Sequence, residues 1–200
     1  MRSKMYQQHA AKSACLNISL GIIGTTFFFY YYSDLKNQEW DCYATKESEI
    51  PVSDSDGSAE YHNVSNNFEI LMLLAGIFYI YEFIMGIIAI FAIKNLRAAQ
   101  TAVSMEGCTH CCSIAILIWA TIVRFNHYGN TCAGDFFDDG VSKTSVGEPY
   151  ITKSSRFLYW YVILNWTFYA SLCLIACCIC CCGVALFGMA ASQAQQNAQQ

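Results

Sequence analysis

Four long apolar stretches, residues 14–32, 68–93, 108–125 and 157–189, limit this chain more than any other feature of its sequence. Each is long enough, at about 20 residues per crossing, to traverse a bilayer as a helix. The only two prolines, Pro51 and Pro149, fall in polar segments between stretches, where no helical backbone has to be kept. With 55% hydrophobic and only 13% charged residues, the composition is that of a membrane protein rather than a soluble domain. The pattern predicts an all-α fold: an integral membrane four-helix bundle with two outer loops, 33–67 and 126–156, and both termini cytoplasmic.

Orientation follows from the basic residues near the span ends, which cytoplasmic segments preferentially retain. Arg2, Lys4 and Lys12 precede the first span, and Lys94 and Arg97 follow the second. The segment between the first two spans instead holds eight acids between Asp34 and Glu60 against Lys36 and Lys46. Residues 1–13 are therefore read as a cytoplasmic N-terminus, and 190–200 as a Gln- and Ala-rich cytoplasmic tail, either disordered or a frayed helical extension. No small-residue cleavage pattern follows the first span, so it reads as retained rather than as a signal peptide. The aromatic runs at 27–32 and 157–166 fall at the outer headgroup level, where amphipathic rings are enriched. The net charge of −4 and the lack of a long basic run exclude a nucleic-acid partner.

The cysteines divide by compartment. Cys42 and Cys132 are the two on the oxidising side, one in each outer segment, so a single intramolecular disulfide joins them unless they stay free or bridge two chains. Eight others cluster where spans three and four meet the cytosol. Cys108, Cys111 and Cys112 share one helical face, as do Cys177 with Cys181 and Cys178 with Cys182, and Cys180 lies among them. Reduced juxtamembrane thiols at these positions are candidate S-acylation sites. Buried packing by compact thiols is the plainer reading. A zinc site is disfavoured, because four-thiolate centres use paired C-x-x-C knuckles on loops. No metal and no cofactor is called for. Asn63, in the sequon NVS, is a glycosylation acceptor on the outer side, close to the second span.

Two charges lie inside spans. Counting 1.5 Å per residue from the inner surface places Glu82 and Arg124 at similar depths, so an intramembrane ion pair is expected, with Arg124 snorkelling outward as the alternative. Gly21, Gly24, Gly86 and Ala89 provide the small surfaces on which membrane helices pack closely. No Gly-rich phosphate loop, HExxH, G-x-S-x-G or convergent carboxylate pair is present, so no enzymatic activity is expected.

Four spans, cytoplasmic ends, a short inner loop and cysteine-bearing outer loops together make the chain resemble the MARVEL-like tetraspan membrane proteins. The stretch RFNHYGNTCAGDFFDDG, 124–140, looks like the segment after the third span in some members of that group. The resemblance implies a role in membrane organisation and vesicle trafficking without catalysis, at the plasma membrane or endomembrane vesicles. The implied partners are membrane lipids and other membrane proteins, with homo-oligomers among them. Tetraspanins and claudins fit less well: the CCG at 181–183 lies at an inner helix end, and only Trp40 and Cys42 match the claudin pattern. The second functional reading is a channel or transporter subunit in which Glu82 is the pathway residue.

Overall fold

The computed structural model of the chain describes residues 2–38, 41–46, 61–92, 94–136 and 150–197. In chain order the elements are α1 (Arg2–Lys36), β1 (Tyr43–Ala44), β2 (His62–Asn63), α2 (Val64–Ala92), α3 (Leu96–Phe125), α4 (His127–Ala133) and α5 (Thr152–Asn197). Four segments are long and apolar enough to cross a membrane: Ala11–Lys36, Val64–Ala92, Gln100–Phe125 and Thr152–Ile179. The exposed faces of α1, α2 and α3 carry Leu20, Ile23, Ile77, Ile84 and Ile118, the reverse of a water-soluble bundle. This suggests a membrane protein.

The helices outrun the apolar stretches. Residues 96–107, expected to be a loop, form the first turns of α3. They are rich in Ala, Leu, Gln, Met and Glu, all good helix formers. Asn95 starts the helix, its side chain accepting the Arg97 amide at 3.1 Å. Hydropathy marks where a helix could enter lipid, not where its hydrogen-bond ladder ends. The tail is likewise helical as far as Asn197. The sequence-based reading also missed the short outer elements, α4 and the antiparallel β1–β2 pair, in which Tyr43 faces Asn63 and Ala44 faces His62. Residues 47–60 and 137–149 of the two outer segments, and residues 198–200, lie outside the described residues.

The chain divides into two units, Met1–Tyr159 and Trp160–Gln200. In the first, α1 packs most extensively on α2, and α3 lies against both. The α1 seam repeats every seven residues through Ala14, Gly21, Phe28 and Leu35, all buried. A Cβ added to Gly21 would lie 2.7 Å from the Cβ of Phe83, and one added to Gly86 would lie 2.7 Å from Ile18 and 3.0 Å from the Ala14 carbonyl. A Cβ on Gly24 would enter the Tyr79 ring. As α1 numbers rise the α2 numbers fall, so the helices are antiparallel, and the small residues singled out in the sequence are where they meet. Aromatic residues continue the seam: Phe28 stacks on Tyr79 at 5.4 Å, while Phe157 of α5 sits among Phe27, Phe28 and Tyr31. Rings expected only as a headgroup belt are therefore also packing residues.

In the second unit α5 continues as a single helix with apolar residues all round, among them Leu164, Phe168, Leu172 and Ile175. Its polar groups bond to their own backbone: Asn165 to the Tyr161 carbonyl, Thr167 to Ile163 and Ser171 to Thr167, each at 2.8 Å. That is the requirement for a helix without water around it.

The seam makes a prediction about glycine. Gly21→Ala forces α1 and α2 apart and should cost about 1–3 kcal/mol. Gly107→Ala, at a helical position with nothing within 4 Å of the added Cβ, should be neutral or stabilise by up to about 1 kcal/mol. Thermal unfolding of the two variants in detergent checks the contrast, and equal effects would contradict the seam.

Candidate functional site

The described chemistry concentrates at one end of the first unit, around the Cys42–Cys132 disulfide. Its half-cystines are fully buried, with Cα atoms 6.1 Å apart. Each also anchors the start of a long helix. The Cys42 amide donates to the Ser65 hydroxyl at 2.7 Å, and the Cys42 carbonyl accepts the Val64 amide at 2.9 Å. These contacts hold the first turn of α2, whose N-terminal donors have no intrahelical acceptor. The Cys132 carbonyl accepts the Ile151 amide at 2.9 Å, immediately before α5. Tyr150, beside it, has its phenol pushed up by burial. One covalent bond thus draws together the segment after α1 and the starts of α2 and α5.

Asn63 belongs to the same cluster. Its Oδ1 accepts the Asn66 amide at 2.9 Å, which makes it the N-cap of α2. Its Nδ2 donates to Asp41 at 3.2 Å and to the Tyr43 hydroxyl at 3.3 Å. The nitrogen that a glycan would occupy is therefore engaged within the fold. The His62 ring lies 4.5 Å from that of Tyr128, joining β2 to α4.

Arg124, 4% exposed, is the second centre of this end. Its Nε donates to the Ser155 carbonyl at 3.1 Å, and its Nη1 donates to Asn130 Oδ1 at 3.0 Å and Asp135 Oδ2 at 2.7 Å. Its guanidinium carbon lies 5.3 Å from the Phe125 ring centroid and 5.5 Å from that of Tyr159. The chain must double back after α3 to deliver these acceptors. Asn126 ends α3 and caps α4, accepting the Gly129 amide at 2.6 Å. Gly134 then closes α4 at φ 71°, a conformation glycine adopts without strain. At Gly129 a Cβ would collide with the Val123 carbonyl, so only glycine lets α4 lie this close.

The expected Glu82–Arg124 pair is not among these contacts. Glu82 lies 18 residues below Val64, the first residue of α2, or about 27 Å along the helix, whereas Arg124 is at the far end of the hairpin partner α3. The expected depth of Arg124 is counted from His110 as the inner surface, and α3 begins fourteen residues earlier. Arg124 instead bonds to Asn130, Asp135 and Ser155 near the disulfide. Glu82 is 9% exposed, and its Oε2 has no hydrogen-bond partner among the described residues.

Each unit also carries free thiols. Cys108, Cys111 and Cys112 on α3 are exposed, as are Cys177 and Cys178 on α5. Cys15 and Cys173, which sequence reasoning did not single out as sites, are exposed as well. The side chains of Cys180, Cys181 and Cys182 lie outside the described residues. Among the described residues no three His, Cys, Asp or Glu side chains come together as metal ligands.

Removing the guanidinium should therefore be costly where removing the intramembrane carboxylate is not. Arg124→Gln is expected to lose about 2–3 kcal/mol, because several charge-assisted bonds go but the half-exposed Asp135 recovers hydration. Arg124→Lys should rescue little, since an ammonium lacks the fork that reaches Asn130, Asp135 and Ser155 together. Glu82→Gln should be near neutral, and the double variant additive, as the two sites share no partner. A thermal-stability cycle in detergent that found strong coupling would contradict these separate environments.

Comparison with family models, with curated proteins and with solved structures finds no match to this chain.

Proposed function

We propose that the chain is a non-enzymatic, MARVEL-like tetraspan protein that organises membranes or takes part in vesicle trafficking. The observation that carries this reading is the unequal division of its surface. One end is fastened by a buried disulfide, helix caps and a buried guanidinium, while the long helices below it expose apolar side chains and free thiols. A rigid cap over lipid-facing helices suits a scaffold better than a catalyst.

In this reading both termini are cytoplasmic, the disulfide end faces the oxidising compartment, and the partners are lipids and other membrane proteins. A persistent disulfide supports that polarity, because the cytosol keeps thiols reduced. The basic residues around Lys12, Lys94 and Arg97 then lie inside. Exposure of Cys108, Cys111, Cys112, Cys177 and Cys178 favours acylation over the buried-packing reading, since a thioester needs room for its chain. For Asn63, the cap geometry favours a helix-capping role over glycosylation.

The second reading, a channel or transporter subunit, rests on Glu82, a buried carboxyl within a span with one oxygen unbonded. Purified protein reconstituted into liposomes separates the two. The membrane-organising reading predicts no ion flux above that of empty vesicles, and flux abolished by Glu82→Gln in a folded protein would replace it with the channel reading.

Acylation has its own measurement. Hydroxylamine-sensitive acyl exchange on protein from its own cells should label the chain, and serine at Cys108, Cys111, Cys112, Cys177, Cys178, Cys180, Cys181 and Cys182 should remove most of the label. No exchange in the native protein would return these thiols to a packing role.

A further inference from the structure

Tyr81 is placed where a phenol has nothing to bond. It is 39% exposed on α2, its one ring contact among the described residues is with Phe78, 6.5 Å away, and its hydroxyl has no hydrogen bond among them. Val64–Ala92 has its midpoint at residue 78, so with the hydrocarbon centred on the helix Tyr81 lies about 4–5 Å from the bilayer midplane. Helical side chains lean toward the helix N-terminus, which carries the hydroxyl further toward the centre and away from either headgroup layer. Snorkelling cannot rescue it. Nor can its own helix: Ser19, Thr26 and Thr121 return short hydroxyls to the carbonyl four residues back, a reach a tyrosine lacks.

The surface around Tyr81 is shaped to receive another helix. Ile70, Leu74, Ile77, Tyr81, Ile84 and Ile88 are all exposed and alternate at spacings of four and three, the repeat by which two helices interlock at a shallow angle. Tyr81 lies near the middle of this row. A comparable row on α1 runs through Leu16, Leu20, Ile23, Phe27 and Tyr30, but there the phenol is near the disulfide end, at headgroup level, and the hydroxyls of Ser19 and Thr26 are already bonded. Lipid satisfies the α1 face. It does not satisfy Tyr81.

We propose that two copies of the chain associate side by side through this face of α2, with the Tyr81 hydroxyls meeting across the two-fold axis. Copies inserted in the same orientation pair their α2 helices in parallel, so each residue meets its own counterpart at its own depth. A phenol is both donor and acceptor, and is therefore complementary to itself in that arrangement. The proposal deepens the membrane-organising reading by naming a second copy as a partner, and it rests on that reading only for placing α2 in lipid.

The test uses the full chain reconstituted in phosphatidylcholine vesicles, with a photo-crosslinking amino acid at Ile77 or Ile84 on the α2 face, or at Ile23 on α1. Irradiation should give a product of twice the chain mass from the α2 positions and not from Ile23. Tyr81→Phe should weaken the dimer about 3- to 30-fold when the protein is diluted in lipid, with an intact Cys42–Cys132 bond confirming that the variant has folded. Cross-links confined to a single chain would show that its own last helix covers the face, and would overturn the proposal. Dimers from Ile23 alone, or an undiminished Tyr81→Phe dimer, would overturn it too. A monomer that still carries acyl groups and shows no ion flux would remove the dimer and leave the membrane-organising reading standing.

Discussion

The covalent bond between Cys42 and Cys132 is the constraint from which the rest of the described architecture follows. Long apolar helices in lipid have little hydrophobic reason to choose one neighbour over another, so contacts outside the hydrocarbon carry much of the specification. Here the sulfur bridge spans 90 residues of sequence and sits between the starts of two spans. The half-cystine backbones hold Val64 and Ile151 directly. In the chain-entropy model a loop of that length is worth up to about 4–5 kcal/mol, less where a bilayer already restrains the ends. Around it, Asn63 and Asn126 satisfy helix-start donors, and Arg124 ties the end of α3 to the first turn of α5. The exposed pairs Lys36–Glu69 and Lys153–Asp34 add little, because water and salt screen them.

How much of this was legible in the sequence depended on whether the physics was local. Cys42 and Cys132 could be paired because compartment and number left few alternatives. Gly21, Gly24 and Gly86 could be recognised because close helix approach has few other solutions. The partners of Arg124 could not. They required knowing that the chain doubles back through a seven-residue helix capped by Asn126 and Gly134, a turn whose signals are short. The start of α3 was missed because hydropathy reports affinity for lipid, while Asn95 and the Ala-rich run after it report helix. That one error moved the reference surface and created the apparent match in depth between Glu82 and Arg124.

The functional reading gains its weight from where the chemistry lies. The described hydrogen-bond network is densest around the disulfide, whereas Glu82, with an unbonded oxygen, and Tyr81 lie on a helix that faces apolar surroundings. Burying a carboxyl and exposing a phenol in hydrocarbon both cost stability. A structure retains such groups where another interaction offsets them. For Tyr81 the proposed second copy of the chain offers that interaction, whereas for Glu82 Oε2 the described residues offer none. An organiser built this way would act by arranging its neighbours through helix faces and acyl chains, with its disulfide-locked end holding the helices in register.

Peptide mapping without reduction, on protein taken from its native membranes, tests the account most directly, because one bond reports both the fold of the cap and the compartment it faces. The account predicts a Cys42–Cys132 cross-linked peptide pair and no alkylation of either residue in the intact protein. Free, alkylatable Cys42 and Cys132 would contradict it, removing the bond that gathers the helix starts and the reason for placing that end outside the cytosol.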